Sequence, residues 1–571
     1  LDPAQYREEF SKAFLNVWKG RAENDQFNRL ILRAKLTWRE VAMLRGYAKY
    51  MKQIRFGLSL EYIAETLIRY SELTDHLSEL FSARFNPDKQ SDVGMVERWV
   101  EKIELLLEDV NNINEDRIIR RYIELILATV RTNFYQEDAA GLRKEYISFK
   151  LNSSQISDIP LPKPKFEIFV YSPRIEGVHL RGGSVARGGL RWSDRNEDFR
   201  TEVLGLVKAQ QVKNAVIVPV GAKGGFVAKQ LPPPSDRDAF FKEGIACYKT
   251  FIRGLLDITD NLVDNAVSPP KQVVRYDKDD PYMVVAADKG TATFSDIANS
   301  VAKEYNFWLG DAFASGGSFG YDHKKMAITA RGAWVSVQRH FREMDINVQD
   351  DPITVVGIGD MAGDVFGNGL LRSQTVKLVG AFNHMHIFID PNPDAAVSFK
   401  ERQRLFDLPR SSWEDYNAKL MSKGGGIFSR SSKSIPVSKE MTALFELTVS
   451  KISPTDLMIA MLKAPVDLLW NGGIGTYVKA TSENHLDIGD KANDALRING
   501  NELRCKVIGE GGNLGFSQLG RIEYNLNGGR SFTDFIDNAG GVDCSDHEVN
   551  MKILLDEMVA NGDMTVKQRN S

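Results

Sequence analysis

Residues 187–226 read RGGLRWSDRNEDFRTEVLGLVKAQQVKNAVIVPVGAKGGF, and the order of elements inside this stretch decides the fold class. Two glycine-rich segments, Gly188-Gly189 and Gly221-Ala222-Lys223-Gly224-Gly225, are expected as turns. Between them a helix-like run ends at Lys213, and an apolar run from Ala215 to Val220 reads as a strand. Backbone without Cβ lets a substrate come close. Arg187, Lys213 and Lys223 would bring three cations to it, so the guest this stretch suits is an anion. Four of the five nearest neighbours of Lys223 are Gly or Ala, which leaves its stem little to pack against. A lysine crowded by other cations and partly desolvated loses its proton more easily and can then act as acid, base or nucleophile. An isolated AKGG is equally the pattern of a solvated lysine on a glycine hairpin.

Working outward, Leu231-Pro232-Pro233-Pro234 breaks the chain before a helix entered at Ser235 or Asp236. A strand from Tyr282 to Ala287 and a helix from Phe294 to Tyr305 follow, and such alternation predicts an α/β domain. Asp288 comes directly after the strand and before a glycine turn, where α/β proteins present functional side chains; a cap for the next helix is the plainer alternative. Upstream, Phe166 to Tyr171 reads as a strand and Asn152 to Lys165 as a linker. Residues from about 4 to 150 are expected to be mainly helical, because apolar residues recur at three- and four-residue spacing, as in Ile119, Tyr122, Ile123 and Ile126. Acids and bases are interleaved on the other faces, the pattern of a solvated helix surface and not of a nucleic-acid interface.

A second α/β region begins at Asp351-Pro352. Ile353 to Val356 reads as a buried strand running into Gly357-Ile358-Gly359-Asp360-Met361-Ala362, a GxGxxA dinucleotide fingerprint. A second strand, His386 to Ile389, ends in Asp390, an acid suited to the adenosine ribose and hostile to the extra phosphate of NADP, which favours NAD. Asp360 would compete with a pyrophosphate for a helix N-terminus, and is expected to cap the helix and point aside. Residues 391–465, with Gly424-Gly425-Gly426 and a serine-rich patch from Ser429 to Ser434, read as a surface excursion. His384 and His386 lack an accompanying carboxylate or cysteine cluster, so no metal is expected. Leu468 to Gly475 and Val507 to Asn513 are apolar runs feeding glycine turns with an Asn, the form that lines the nicotinamide side of a doubly wound sheet.

Several of these motifs together resemble the glutamate dehydrogenases, and within them the large NAD-dependent form. Those that carry the resemblance are Gly188-Gly189-Leu190-Arg191, the run from Lys213 through Ala222-Lys223-Gly224-Gly225, Ala287-Asp288-Lys289-Gly290-Thr291, Thr329-Ala330-Arg331-Gly332, Glu510-Gly511-Gly512-Asn513 and Asn538-Ala539-Gly540-Gly541-Val542. They cover residues from about 165 to 571 in the family's order. After the helical region over 1–150, the resemblance implies an α/β substrate domain over 151–350 and a Rossmann-type NAD domain over 351–537, with residues 538–571 returning to the substrate domain. It implies oxidative deamination of L-glutamate to 2-oxoglutarate and ammonia with NAD, by a homo-oligomer. It further implies that Lys213 holds the α-carboxylate, Lys223 activates water, Asp288 moves the amine proton and Arg187 with Ser545 receives the side-chain carboxylate. Gly357, Gly359, Ala362, Asp390, Asn513 and Asn538 would bind the cofactor. Where the commoner small enzymes carry a lysine, Arg187 keeps the charge and adds a planar fork. Lys325 stands where the family often has an arginine. A dehydrogenase for apolar amino acids, or a catalytically silent NAD-sensing segment, are the alternatives.

Composition agrees with a globular chain of more than one domain: 571 residues, 43% hydrophobic, 26% charged and a net charge of -3. That balance makes no case for nucleic acid or a membrane surface. Three scattered cysteines, Cys247, Cys505 and Cys544, fit a reducing, cytoplasmic location and neither a disulfide framework nor a structural zinc. With no initiator Met and no signal segment ahead of Leu1, the chain reads as a piece of something longer.

Overall fold

A computed structural model describes residues 3–92, 94–138, 140–213, 220–233, 236–287, 292–409 and 411–571. The chain forms two compact units, Leu1–Gly320 with Val549–Ser571, and Tyr321–Glu548.

The first unit is a mixed sheet between helical layers. Its strands are β1 (Thr129–Thr132), β2 (Ile147–Asn152), β3 (Phe166–Tyr171), β4 (Ile175–Arg181), β5 (Ala186–Trp192), β6 (Val220–Ala228), β7 (Val284–Ala287) and β8 (Ala314–Ser315), in the order β1-β2-β3-β4-β6-β5-β7-β8. The first five in that order pair antiparallel, whereas β6, β5, β7 and β8 run parallel. Strand β3 is buried along its whole length, as a strand covered on both faces must be, and this is why FEIFVY reads as a continuous apolar run. One face packs Phe149, Phe169, Tyr171, Val178 and Leu180 on the N-terminal helices and on α1 (Phe199–Lys213). The other packs Ile168, Val170, Leu190 and Phe226 on α2 (Arg237–Leu256) and α3 (Ala292–Glu304). The helix Trp38–Gln53 starts on a Thr37/Glu40 capping box and lies close enough to the sheet that a Cβ on Gly46 would sit 3.0 Å from Phe149.

Residues 129–150, grouped by sequence with the helical lead-in, supply β1 and most of β2, where Thr129, Val130 and Ile147 are buried in the ladder. Gly188-Gly189 and Gly221 to Gly225 are not turns: they lie within β5 and β6. The glycines serve their neighbours. A Cβ on Gly224 would be 2.4 Å from Leu190 Cδ2, and one on Gly225 would be 2.6 Å from Val203 Cγ2 of α1, so both sheet faces close over β6 because these positions carry no side chain. Of the expected strand from Ala215 to Val220, residues 215–219 lie outside the described residues and Val220 opens β6.

The second unit holds a six-stranded sheet made of β9 (Ile353–Ile358), β10 (Val376–Phe382), β11 (His386–Ile389), β12 (Gly426–Ser429), β13 (Leu468–Asn471) and β14 (Val507–Glu510), ordered β12-β11-β10-β9-β13-β14. The four strands β10, β9, β13 and β14 are parallel, and β11 and β12 are antiparallel additions at one edge. Helix α4 (Ile328–Arg342) gives Ala333, Trp334, Val337 and Phe341 to this core, so residues 321–350 go with the second unit. The 391–465 segment is built in and is not a surface excursion. It contributes β12, stacks Trp413 on Phe388, and buries Met441, Phe445, Met458 and Met461 beneath the sheet.

Candidate functional site

On β5, Arg187 lies opposite Gly221 of β6 and Val284 of β7, and Leu190 lies opposite Gly224. With a two-residue side-chain period this puts Arg187, Gly189 and Lys223 on one face of the sheet, the face covered by α1. Lys223 Nζ lies 3.3 Å from the point where a Cβ on Gly189 would be, so the glycine leaves the space that the amine occupies. Arg187 is 6% exposed, and its Nη2 approaches Ser315 Oγ at 3.4 Å. Burial pushes the Tyr282 phenol up, against the charges of Arg187 and Arg181 close by. Two cations therefore share one half-buried surface floored by glycine, which suits a small substrate with more than one negative group.

Sequence reasoning missed Ser315 and the glycines that follow it. Gly316 and Gly317 both adopt positive φ, and a Cβ on Gly317 would be 2.6 Å from Asp296 Oδ1, so the chain turns there only because it is glycine. The signal was present in Ala314-Ser315-Gly316-Gly317, an apolar strand running into small residues. Lys213 is the last residue of α1, and its side chain lies outside what is described. Asp288, with Lys289, Gly290 and Thr291, lies outside the described residues, and β7 ends at Ala287 beside Leu190.

In the second unit, the carboxyl ends of β9, β13 and β14 carry Gly357, Gly359, Gly472 and Gly511, all against the start of α5 (Asp364–Leu370). A Cβ would fall 2.5 Å from the Phe366 ring at Gly357, 2.7 Å from it at Gly359, 2.7 Å from Phe366 Cα at Gly472 and 2.2 Å from Val365 at Gly511. Gly359 also has φ +136. These glycines let the start of α5 pack directly on the strand ends, the close helix–strand approach that a dinucleotide fingerprint provides, and the residues present fit one. The helix begins at Asp364 on a Gly363 cap, so Ala362 precedes it. Asp360 does not cap the helix: Gly363 N–H donates to its Oδ1 (3.1 Å) and Asn383 Nδ2 to its Oδ2 (3.0 Å), which fixes the carboxylate between the ends of β9 and β10. Arg430 of the 391–465 segment donates to the Asn383 carbonyl (2.8 Å).

Asp390 is a correction. It follows β11, which runs antiparallel to β10, so the strand carries it away from the carboxyl edge, and its N–H pairs with Val379 midway along β10. It is 1% exposed, and its Oδ1 accepts from the Ser422 backbone (2.9 Å) and hydroxyl. A ribose cannot reach it.

Asn513 is exposed on the loop after β14, whereas Asn538 is buried and donates to the Gly511 carbonyl (2.7 Å), holding that loop from below. Beneath the same loop Glu510 pairs with Arg521 (2.5 Å) and accepts from Gly515 N–H, and Glu510 N–H donates to Asp537 Oδ2 (2.9 Å). Burial pushes Glu510 up to about 7 and Asp537 up to about 6. Ser545 is buried in α6 (Ala539–Ala560). Among the described residues no group of His, Cys, Asp and Glu could hold a metal ion, and no helix is long and apolar enough to cross a membrane.

Residues 102–571 match the family model for the bacterial NAD-glutamate dehydrogenase catalytic domain, and residues 22–87 match that for glutamate dehydrogenase helical motif 3. The chain belongs to the bacterial NAD-glutamate dehydrogenase family. An NAD-specific glutamate dehydrogenase of Pseudomonas aeruginosa is 66% identical over 100% of this chain and 36% of its own length. One of Mycobacterium tuberculosis is 56% identical over 98% of this chain and 36% of its own. The chain thus spans about a third of the length of these bacterial family members. A solved Plasmodium falciparum glutamate dehydrogenase is 15% identical, at a TM-score of 0.43, over 91% of this chain and 84% of that one.

Proposed function

We propose that this chain is the catalytic core of an NAD-dependent glutamate dehydrogenase, interconverting L-glutamate with 2-oxoglutarate and ammonia. The observation that carries the reading is the pairing of Arg187 and Lys223 on one glycine-floored face. Arg187 receives the side-chain carboxylate, and Lys213 receives the α-carboxylate. When bound, NAD supplies the hydride acceptor. The substrate amine gives a proton to Asp288 as Cα loses hydride, and the Cα–N bond becomes an imine. Water assisted by Lys223 adds to the imine carbon, and ammonia leaves. The protein's part is to orient one carboxylate, place the base and keep the amine and the water in reach.

The first unit takes the substrate role and the second the nucleotide role, with Gly357, Gly359 and Ala362 at the pyrophosphate, Asn513 at the carboxamide and Asn538 supporting its loop. A cytoplasmic location suits Cys247, Cys505 and Cys544, all free thiols. A homo-oligomer is part of the same proposal. A dehydrogenase for apolar amino acids would have no second carboxylate to meet the planar fork of Arg187. The experiment is a rate comparison with glutamate, leucine and alanine, each with NAD and with NADP. Glutamate with NAD should lead by at least tenfold; a lead for leucine or alanine would move the protein to the apolar class, and no turnover with any pair would make it a silent NAD-binding segment.

A further inference from the structure

Arg181, the last residue of β4, is fully buried, and its side chain emerges on the face of the sheet opposite Arg187 and Lys223, because it pairs with Ala222 while Arg187 pairs with Gly221. Its guanidinium reaches three segments. Nη2 donates to the Ser184 carbonyl (2.6 Å), in the turn that enters β5, and to the Tyr282 carbonyl (2.7 Å), in the stretch that enters β7. Nη1 donates to Asp280 Oδ2 (2.7 Å). Arg187 stands just after the first of these carbonyls, and its strand partner Val284 just after the second.

Around Arg181 cations and carboxylates alternate in a chain of ion pairs. Asp280 also accepts from Lys150 (2.7 Å), Lys150 pairs with Asp277, Asp277 with Arg131 (2.6 Å), and Arg131 with Asp260 (2.9 Å), whose other oxygen accepts from Asp280 N–H (2.7 Å). Arg131, Lys150, Arg181, Asp260 and Asp280 are buried together, with Asp277 partly exposed at the margin and Arg275 reaching Asp260 from outside (3.2 Å). Buried ion pairs contribute little net stability once desolvation is counted, and their use lies in fixing one geometry. Opposing terms act on the members: burial pushes Asp280 up, but the Arg181 and Lys150 charges outweigh it and hold the carboxyl below its usual range. Asp280 therefore stays an acceptor for the fork.

We infer that Arg181 is a positioning residue for the substrate site: acting from the far face, it clamps the entries of β5 and β7 together and so sets where the Arg187 guanidinium points. This rests on the reading of Arg187 given above. A lysine at 181 keeps the charge but has one compact donor head, which cannot hold Ser184, Tyr282 and Asp280 at once.

The test is a steady-state series on the intact protein, with NAD and either glutamate or norvaline, for wild type, Arg181→Lys, Asp280→Asn and Arg187→Leu, with thermal unfolding of each. For Arg181→Lys, KM for glutamate should rise about tenfold with kcat within about twofold, and kcat/KM for norvaline should change less than about threefold, since only the side-chain carboxylate meets Arg187. Asp280→Asn should shift the same parameters in the same direction, by less, and it answers the question if the lysine variant does not fold. Equal losses on both substrates, or wild-type kinetics in both variants, would overturn the inference. Arg187→Leu separates the two levels: if it loses no more on glutamate than on norvaline, the substrate reading fails and takes this inference with it. If it loses glutamate selectively while Arg181→Lys does not, only the positioning role fails.

Discussion

The amine of Lys223 stands 3.3 Å from where a side chain on Gly189 would begin, on a neighbouring parallel strand. Gly189→Ala would place a methyl group tighter than ordinary contact, and the end of a flexible lysine would yield by a few tenths of an ångström. Stability should hardly change, whereas kcat should fall about five- to tenfold, because small misplacements of a reacting group are costly. Lys223→Ala should lower kcat at least about a hundredfold while NAD affinity stays within about twofold. Unfolding curves, NAD titration and kcat for both variants make the comparison; a Gly189→Ala protein with full kcat would place the lysine away from the reacting centre.

Cofactor choice is expected to respond at Asp360 and not at Asp390. The Asp360 carboxylate is fixed by Gly363 and Asn383 between the ends of β9 and β10, where a 2′-phosphate would meet its charge. Asp360→Asn should raise the ratio of NADP to NAD kcat/KM about tenfold, the order expected for removing one unit charge at a half-exposed site. Asp390→Ala should leave that ratio unchanged and destabilise the protein by about 1 to 3 kcal/mol, since the donors of Ser422 lose their acceptor. The two variants measured with both cofactors, and by thermal unfolding, separate a cofactor contact from a structural acid.

The acids under the loop after β14 predict a pH effect on stability. Glu510 and Asp537 have folded values of about 7 and about 6, raised from ordinary values of 4.5 and 3.8 chiefly by burial, beside Arg521, Asp534 and Ser336. A raised carboxyl binds more protons folded than unfolded, so stability is fully present below pH 4 and is lost as pH rises through 6 to 7. Asp537→Asn should flatten that slope and raise the melting temperature at pH 8 relative to pH 5. A melting temperature that climbs from pH 5 to pH 8 at the same rate in both proteins would contradict the assignment.

The two α/β regions, and strands such as Phe166–Tyr171 and His386–Ile389, were legible because their apolar runs have strand length and end in small residues. What a strand pairs with is not local. His386–Ile389 followed by an acid has the form of a parallel strand with a ribose ligand, and only its antiparallel pairing with β10 shows that Asp390 is carried away from the carboxyl edge. Glycine pairs were equally ambiguous. Gly316-Gly317 turns the chain through positive φ, whereas Gly188-Gly189 stays in a strand and makes room for the Lys223 amine, a role set by a residue on another strand. In 391–465 the polar average hid Trp413, Met441 and Phe445, whose partners lie far off in the chain. Arg187 and Lys223 were singled out in the sequence because charge among glycines is a local signal; Ser315 was not, because its place beside the Arg187 guanidinium comes from a distant part of the chain.

The central claim is that Arg187 selects a substrate with a second carboxylate, because its buried guanidinium presents a planar fork that a carboxylate fits. The most direct measurement is kcat/KM for glutamate, leucine and norvaline on wild type and Arg187→Leu, side by side. Losing one partner of a buried charge pair costs roughly 3 to 5 kcal/mol, so glutamate should fall by two or more orders of magnitude while leucine and norvaline fall far less or rise. An equal loss on all three would contradict the account and leave Arg187 as a residue that only holds its strand.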